Sequence, residues 1–125
     1  MKQEINTPKA PAPIGPYSQG ILSGNTLYMS GQIALNPETG ELITENIEEE
    51  THQVMRNIQA VLMQAGITMD NIVKCSIFIS DMNNFSEINQ VYGSYFTGIA
   101  PARETVEVSR LPKDVNVEIS VIAVK

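Results

Sequence analysis

The sequence predicts an α+β fold, a β-sheet with two helices packed on one of its faces. Three observations carry that prediction. Apolar residues recur at helical steps over 47–65 and again over 85–96, which describes two amphipathic helices. Apolar and polar residues alternate over 72–80 and over 115–124, which describes strands. Turn-forming Gly, Pro and Asn residues separate these stretches.

The opening segment, Thr7-Pro8-Lys9-Ala10-Pro11-Ala12-Pro13, holds three prolines. Each fixes φ and lacks an N–H, so the segment reads as an extended arm and not as a central strand. Ile14-Gly15-Pro16 makes a turn into a first strand over 17–22, and Ser23-Gly24-Asn25 has hairpin chemistry leading to a returning strand over 26–33. Asn36-Pro37-Glu38-Thr39-Gly40 is a second turn.

Asn46 is placed to cap the first helix. Glu48, Glu49 and Glu50 occupy its first turn, where the helix dipole favours anions, and are expected on a solvated face. Ile47, Val54, Ile58, Val61, Leu62 and Ala65 form its apolar row, and Gly66 is a suitable stop. In the strand that follows, Val73, Cys75, Ile77 and Ile79 share one face, and Lys74, Ser76, Phe78 and Ser80 the other. Phe85, Ile88, Val91, Tyr92, Tyr95 and Phe96 trace the second helix. Two closing strands over 102–109 and 115–124 are joined by Leu111-Pro112-Lys113-Asp114, giving the order ββαβαββ.

The last strand indicates how the second sheet face is used. Val115, Val117, Ile119, Val121 and Ala123 should meet the helices, whereas Asn116, Glu118, Ser120, Ile122 and Val124 mix polar and apolar groups. Such a face, with Phe78 beside it, suits another copy of the chain better than bare water. A homo-oligomer is expected, with polar groups of that face near the subunit boundary.

At 125 residues the chain matches one domain, residues 1–125. Its apolar runs, such as Ala60–Met63 and Val121–Val124, are far short of a membrane span, and no hydrophobic leader follows Met1, so a cytoplasmic protein without membrane association is expected. Cys75 is the one cysteine, in keeping with a reducing compartment. Net charge is −6, no Lys or Arg occurs from Ala10 to Met55, and the basic residues form no stripe, which argues against a nucleic-acid surface.

Familiar catalytic constellations are missing. His52 is the one histidine and is expected on the solvent side of the first helix. With only His52 and Cys75 available as nitrogen and sulfur ligands, no metal is expected, and no glycine-rich phosphate loop occurs. Cys75 reads as a small buried hydrophobe. What remains is Arg103 and Glu118 on the closing strands, Ser30-Gly31 in the middle of a strand, and Tyr17 after a rigid turn. Each has a plain reading too: a surface charge, its salt-bridge partner, a packing aromatic.

Ile14-Gly15-Pro16-Tyr17-Ser18-Gln19, Ser30-Gly31-Gln32-Ile33, Asn36-Pro37-Glu38-Thr39-Gly40-Glu41, and Pro101-Ala102-Arg103 through Val106-Glu107-Val108 to Leu111-Pro112 follow one another in order. With these segments the chain resembles, from end to end, the RidA (YjgF/YER057c/UK114) family of reactive-intermediate deaminases. The resemblance implies a chorismate-mutase-like fold with a mixed sheet, a homotrimer with clefts between subunits, and no cofactor. It implies hydrolysis of 2-imino acids and their enamines, such as 2-iminobutanoate and 2-iminopropanoate, to 2-oxo acids and ammonia.

By that resemblance Arg103 holds the substrate carboxylate, a task its planar guanidinium suits, and Glu118 positions or activates water. Gly31 and the backbone at Thr105 hold the substrate, while Tyr17, Ser30 and Asn89 line the cleft. Thr105 departs from the cysteine that many members carry, which removes thiol-based switching at that position, and the 97–100 loop is shorter than in several relatives. A non-catalytic 2-oxo acid sensor using the same cleft is the alternative reading. Ribonuclease activity, a label some relatives carry, is disfavoured by the −6 charge.

Overall fold

The computed structural model describes residues 1–125. Six strands and two α-helices follow in the order β1 (Lys2–Ile5), β2 (Gly20–Ser23), β3 (Thr26–Met29), α1 (Ile47–Gln64), β4 (Ile72–Ile79), α2 (Phe85–Gly93), β5 (Ala102–Glu107) and β6 (Val117–Val124). They form one sheet in the order β1-β2-β3-β6-β4-β5, antiparallel throughout except for the parallel β4–β5 pair. The α+β class and both helices are as the sequence predicts.

The inward row of β6 supplies the centre of the core. Val117, Ile119, Val121 and Ala123 are fully buried and meet Ile77 and Ile79 of β4 and Val54, Ile58, Val61 and Leu62 of α1 in one apolar cluster. Burying each such side chain contributes about 1.5–3 kcal/mol relative to leaving it in water, so this row is what fixes the helices to the sheet. The Asn46 side chain accepts the Glu49 N–H at 2.8 Å and starts α1, and Gly66 stops it with φ 77°, a left-handed conformation that suits a residue without Cβ.

Several details differ from the sequence reading. An additional strand, β1, precedes the proline arm and pairs with β2. It went unread because its four residues are mostly exposed and polar. The first predicted strand begins only at Gly20, and the returning strand leaves the ladder after Met29, so Ser30-Gly31 is not mid-strand. Val73 is exposed and does not share the inward face, because a register shift between Ile72 and Lys74 turns it outward. The second helix ends at Gly93, leaving Tyr95 and Phe96 in the turn beyond.

The closing strands do not form a hairpin. β5 lies at the sheet edge against β4, while β6 lies between β3 and β4. The connection between them turns at Lys113 and Asp114, with φ 56° and 57°.

Nor is Glu50 solvated. It is fully buried, and its carboxylate accepts hydrogen bonds from the Asn116 N–H at 2.7 Å, the Asn116 side-chain amide at 2.7 Å and the Val117 N–H at 3.2 Å. A carboxylate in the first turn of α1 thus ties that turn to the start of β6. His52 is half-buried and not free on the surface, with Nδ1 hydrogen-bonded to the Tyr95 hydroxyl at 2.8 Å. No helix is long and apolar enough to cross a membrane.

Candidate functional site

The residues singled out from the sequence fall into two groups. The first gathers around Glu118. After Met29 the chain steps off β3, and the Ser30 N–H donates to the Gln19 carbonyl at 2.9 Å while its hydroxyl donates to the Ser18 carbonyl at 2.5 Å. Gln32 then exchanges both backbone bonds with Ile119 of β6, at 2.8 and 3.1 Å. Gly31 is thereby laid alongside the Glu118 side chain, so close that a Cβ at residue 31 would stand 2.8 Å from the carboxyl carbon. Tyr17 and Gly31 line one small cavity of about 50 Å³, with Ile14 and Lys113 on its wall.

The arm carrying Tyr17 is held by Gln19, a residue the sequence reading passed over. Its side chain is buried, accepts the Thr7 N–H at 2.8 Å, and donates to the carbonyls of Thr7, Ala10 and Pro11 at 3.0, 3.2 and 2.9 Å. The proline-rich arm cannot supply a ladder of its own, so one amide side chain satisfies its carbonyls. The Glu118 side chain is half-buried and makes no hydrogen bond or ion pair within the chain. Burial pushes its carboxyl above the usual glutamate value of 4.5.

The second group gathers around Arg103 on the edge strand. The Arg103 Nη1 donates to Asn89 Oδ1 at 2.5 Å, and its guanidinium carbon lies 5.6 Å from the Phe85 ring centroid and 5.2 Å from that of Tyr92. Phe85, Asn89 and Tyr92 share one face of α2 by helical spacing. No carboxylate pairs with Arg103; the ion pairs of the chain are Lys74–Glu104 and Arg110–Asp114.

Beside Arg103 lie two buried hydroxyls, that of Thr105 without a hydrogen-bond partner and that of Tyr92 with only the Cys75 thiol, a weak partner, beside it. Cys75, opposite Arg103 across the β4–β5 ladder, is buried as expected. Burial pushes its thiol up, as it does the Tyr92 hydroxyl; the contact between the two groups then lowers the thiol and raises the hydroxyl, and the positive charge of Arg103 pulls both back somewhat.

The two groups occupy opposite faces of the sheet. Residues directly paired across a ladder share a face. Arg103 and Thr105 pair with Cys75 and Ile77, whose side chains point toward the helices, whereas Glu118 pairs with Phe78 on the open face. An Arg103–Glu118 salt bridge within the chain, one of the plain readings, is therefore excluded by topology. No three His, Cys, Asp or Glu side chains converge in a group able to hold a metal.

Residues 7–125 match the family model described as Endoribonuclease L-PSP, the YjgF/RidA family. The chain belongs to the Rid family. It is 42% identical over 125 residues to the mouse protein named 2-iminobutanoate/2-iminopropanoate deaminase, covering 100% of this chain and 93% of that one. The structure of a Rid-family protein, YyfA, of unknown function from Yersinia pestis superposes with a TM-score of 0.98 at 56% identity, covering 100% of both chains. That of Escherichia coli TdcF with bound serine superposes with a TM-score of 0.95 at 40% identity, covering 98% of both.

For a Rid protein, the two aromatics beneath Arg103 are the part of the site that sequence reasoning missed. Phe85 and Tyr92 read as ordinary core positions of an amphipathic helix. Only the placement of β5 beyond β4, which no pattern in the sequence announces, brings Arg103 onto them.

Proposed function

We propose that this Rid-family chain hydrolyses 2-imino acids and their enamines, 2-iminobutanoate and 2-iminopropanoate among them, to 2-oxo acids and ammonia. One observation carries the reading: Arg103 is held by an amide and two aromatic rings and by no carboxylate, so its charge is left for an anionic ligand. A planar guanidinium with N–H donors still free can take a carboxylate through two parallel charge-assisted bonds. The mouse relative's name supports the reading, as does the amino acid bound to the relative TdcF.

The chemistry requires water oxygen to add to the imine carbon, a proton to reach nitrogen, and the carbon–nitrogen bond to break with release of ammonia. Glu118, half-buried and unpaired, is suited to take a proton from the attacking water and return it to the leaving nitrogen. Gly31 borders that carboxylate, with Ser30 next to it in the chain and Tyr17 on the wall of a cavity that Gly31 also lines, and Asn89 and Thr105 border the arginine. Orientation of a small, already reactive imine accounts for much of the rate gain such a site needs.

Since Arg103 and Glu118 face opposite sides of one sheet, a ligand small enough to be an imino acid reaches both only when two copies of the chain contribute. The open face suits that assembly. Tyr28 and Val106 are exposed there, with Phe78 and Ile122 only partly covered, and a homotrimer would bury them. The ribonuclease description attached to the family model has no support in the charge: net −6, with no basic track.

The test is a coupled assay. A dehydratase generates 2-iminobutanoate, and the protein is expected to accelerate appearance of the 2-oxo acid without added metal or cofactor. Binding of 2-oxobutanoate with no acceleration would replace the enzyme reading by that of a 2-oxo acid sensor.

A further inference from the structure

We propose that Phe85 and Tyr92 of α2 are positioning residues that set the orientation of Arg103, an assignment that rests on the carboxylate-binding role given to that arginine. Arg103 stands on an edge strand and its side chain is exposed. An arginine in that setting, left alone, samples many rotamers, and about 2 kcal/mol of side-chain entropy opposes fixing it. Here the guanidinium carbon lies 5.2 Å from one ring centroid and 5.6 Å from another, inside the roughly 6 Å reach of cation–π attraction. Asn89 takes a hydrogen from Nη1. These contacts favour one orientation before a ligand arrives, so the ligand has less ordering to supply.

The choice of aromatic partners matters as much as their number. A carboxylate beside Arg103 would order the side chain equally well but would neutralise it and occupy its donors. Ring faces attract the cation without accepting its in-plane N–H groups, so those not given to Asn89 stay available. Phe85 is half-buried and Tyr92 is buried, so the helix core holds both rings in place. The Tyr92 hydroxyl makes no hydrogen bond to Arg103, whose side-chain partner is Asn89, which locates this residue's contribution in its ring.

The experiment measures 2-oxobutanoate affinity by calorimetry alongside steady-state kinetics. Tyr92→Leu and Phe85→Leu are each expected to weaken binding and raise KM by about three- to thirty-fold, the range of one cation–π contact, with a much smaller change in kcat. Tyr92→Phe restores most of the affinity lost in Tyr92→Leu, because the ring returns without the hydroxyl. In parallel, the Arg103 Nε–H resonance of the unliganded protein is expected to be ordered in the wild type and mobile in the leucine variants. Phe85→Leu, at the less buried site, carries the test if Tyr92→Leu does not fold.

Wild-type affinity and an ordered Arg103 resonance in the leucine variants would overturn the assignment, as would Tyr92→Phe binding as weakly as Tyr92→Leu. A wild-type protein that binds no 2-oxo acid would instead overturn the functional reading, and the Arg103 resonance would still decide whether α2 positions the side chain.

Discussion

The Glu118 carboxylate occupies the space that a side chain at Gly31 would need. A Cβ built on Gly31 would lie 2.8 Å from the Glu118 carboxyl carbon, closer than real contacts allow, and a tight 3.0 Å from Cγ. The backbone at residue 31 needs no left-handed conformation, so glycine is there for close approach and not for turning. Since the end of a glutamate side chain can swing away, Gly31→Ala is expected to fold with near wild-type stability while displacing the carboxylate. Turnover should fall about tenfold or more, with affinity for a 2-oxo acid less affected. Full activity in Gly31→Ala, measured in the imine assay, would show that the observed position of Glu118 is not needed.

Burial raises the Glu118 carboxyl above its ordinary value of 4.5. For a group whose folded pKa is raised, the stabilising contribution is fully present below the unfolded pKa and is lost as pH rises through the folded one. Above that window the ionised carboxylate is held where burial disfavours it. Glu118→Gln is therefore expected to gain stability relative to wild type near neutral pH and to lose that advantage in acid. The half-exposed setting keeps the gain small. In the base role only the ionised form works, so wild-type kcat should rise with pH through the same window. Urea midpoints across pH, paired with pH–rate profiles, check both halves. A kcat profile that stays flat through the window would remove the base role, and imine hydrolysis by Glu118→Gln at the wild-type rate would assign catalysis to orientation alone.

These details show what a single sequence reveals. Alternation along β6 places Glu118 on the outward row, because a strand's side chains point alternately to either face. It does not say which strand lies beside β5, and that neighbour decides which face Arg103 takes. Pairing with β4 in parallel register is a long-range choice with no local signature, so the separation of Arg103 from Glu118 was not legible. Val73 illustrates the same limit on a smaller scale: alternation puts it inward, and one register shift turns it out. The burial of Glu50 has no signature in the sequence for a different reason. A carboxylate in the first turn of a helix ordinarily serves the dipole in solvent, and its donors here come from Asn116 and Val117, far along the chain.

Glu50 has no cationic partner, and its burial is supported by the three hydrogen bonds it accepts from the start of β6. Truncation would leave two backbone N–H groups and a side-chain amide without an acceptor. Glu50→Ala is expected to lose about 2–3 kcal/mol of stability, the scale of hydrogen bonds to a charged group with buried donors left behind. Glu50→Gln keeps an oxygen for the backbone donors and should lose less. Chemical denaturation measures both. A loss under about 0.5 kcal/mol in Glu50→Ala, the scale of an ordinary surface change, would show that the tie between α1 and β6 is not stabilising.

The opposite facing of Arg103 and Glu118 makes the proposal of a site shared between copies testable. Arg103→Ala removes the guanidinium proposed to hold the carboxylate and should weaken ligand binding about tenfold or more. Glu118→Gln keeps binding and should reduce turnover about 10²–10⁴-fold. Neither variant alone is expected to be active at a low imino acid concentration. If each site takes its arginine from one copy and its glutamate from the next, subunits of the two variants unfolded together, mixed in equal amounts and refolded should recover activity. About one boundary in four then unites an intact Arg103 with an intact Glu118 in a closed ring of copies. Mixing without unfolding should recover less, since exchange requires the ring to open. Ile122→Glu, which puts a charge on the open sheet face, is expected to yield smaller species by light scattering and to abolish the recovery. If the refolded mixture shows no more activity than the two variants measured separately, each site draws its arginine and glutamate from one chain, or these are not its working residues.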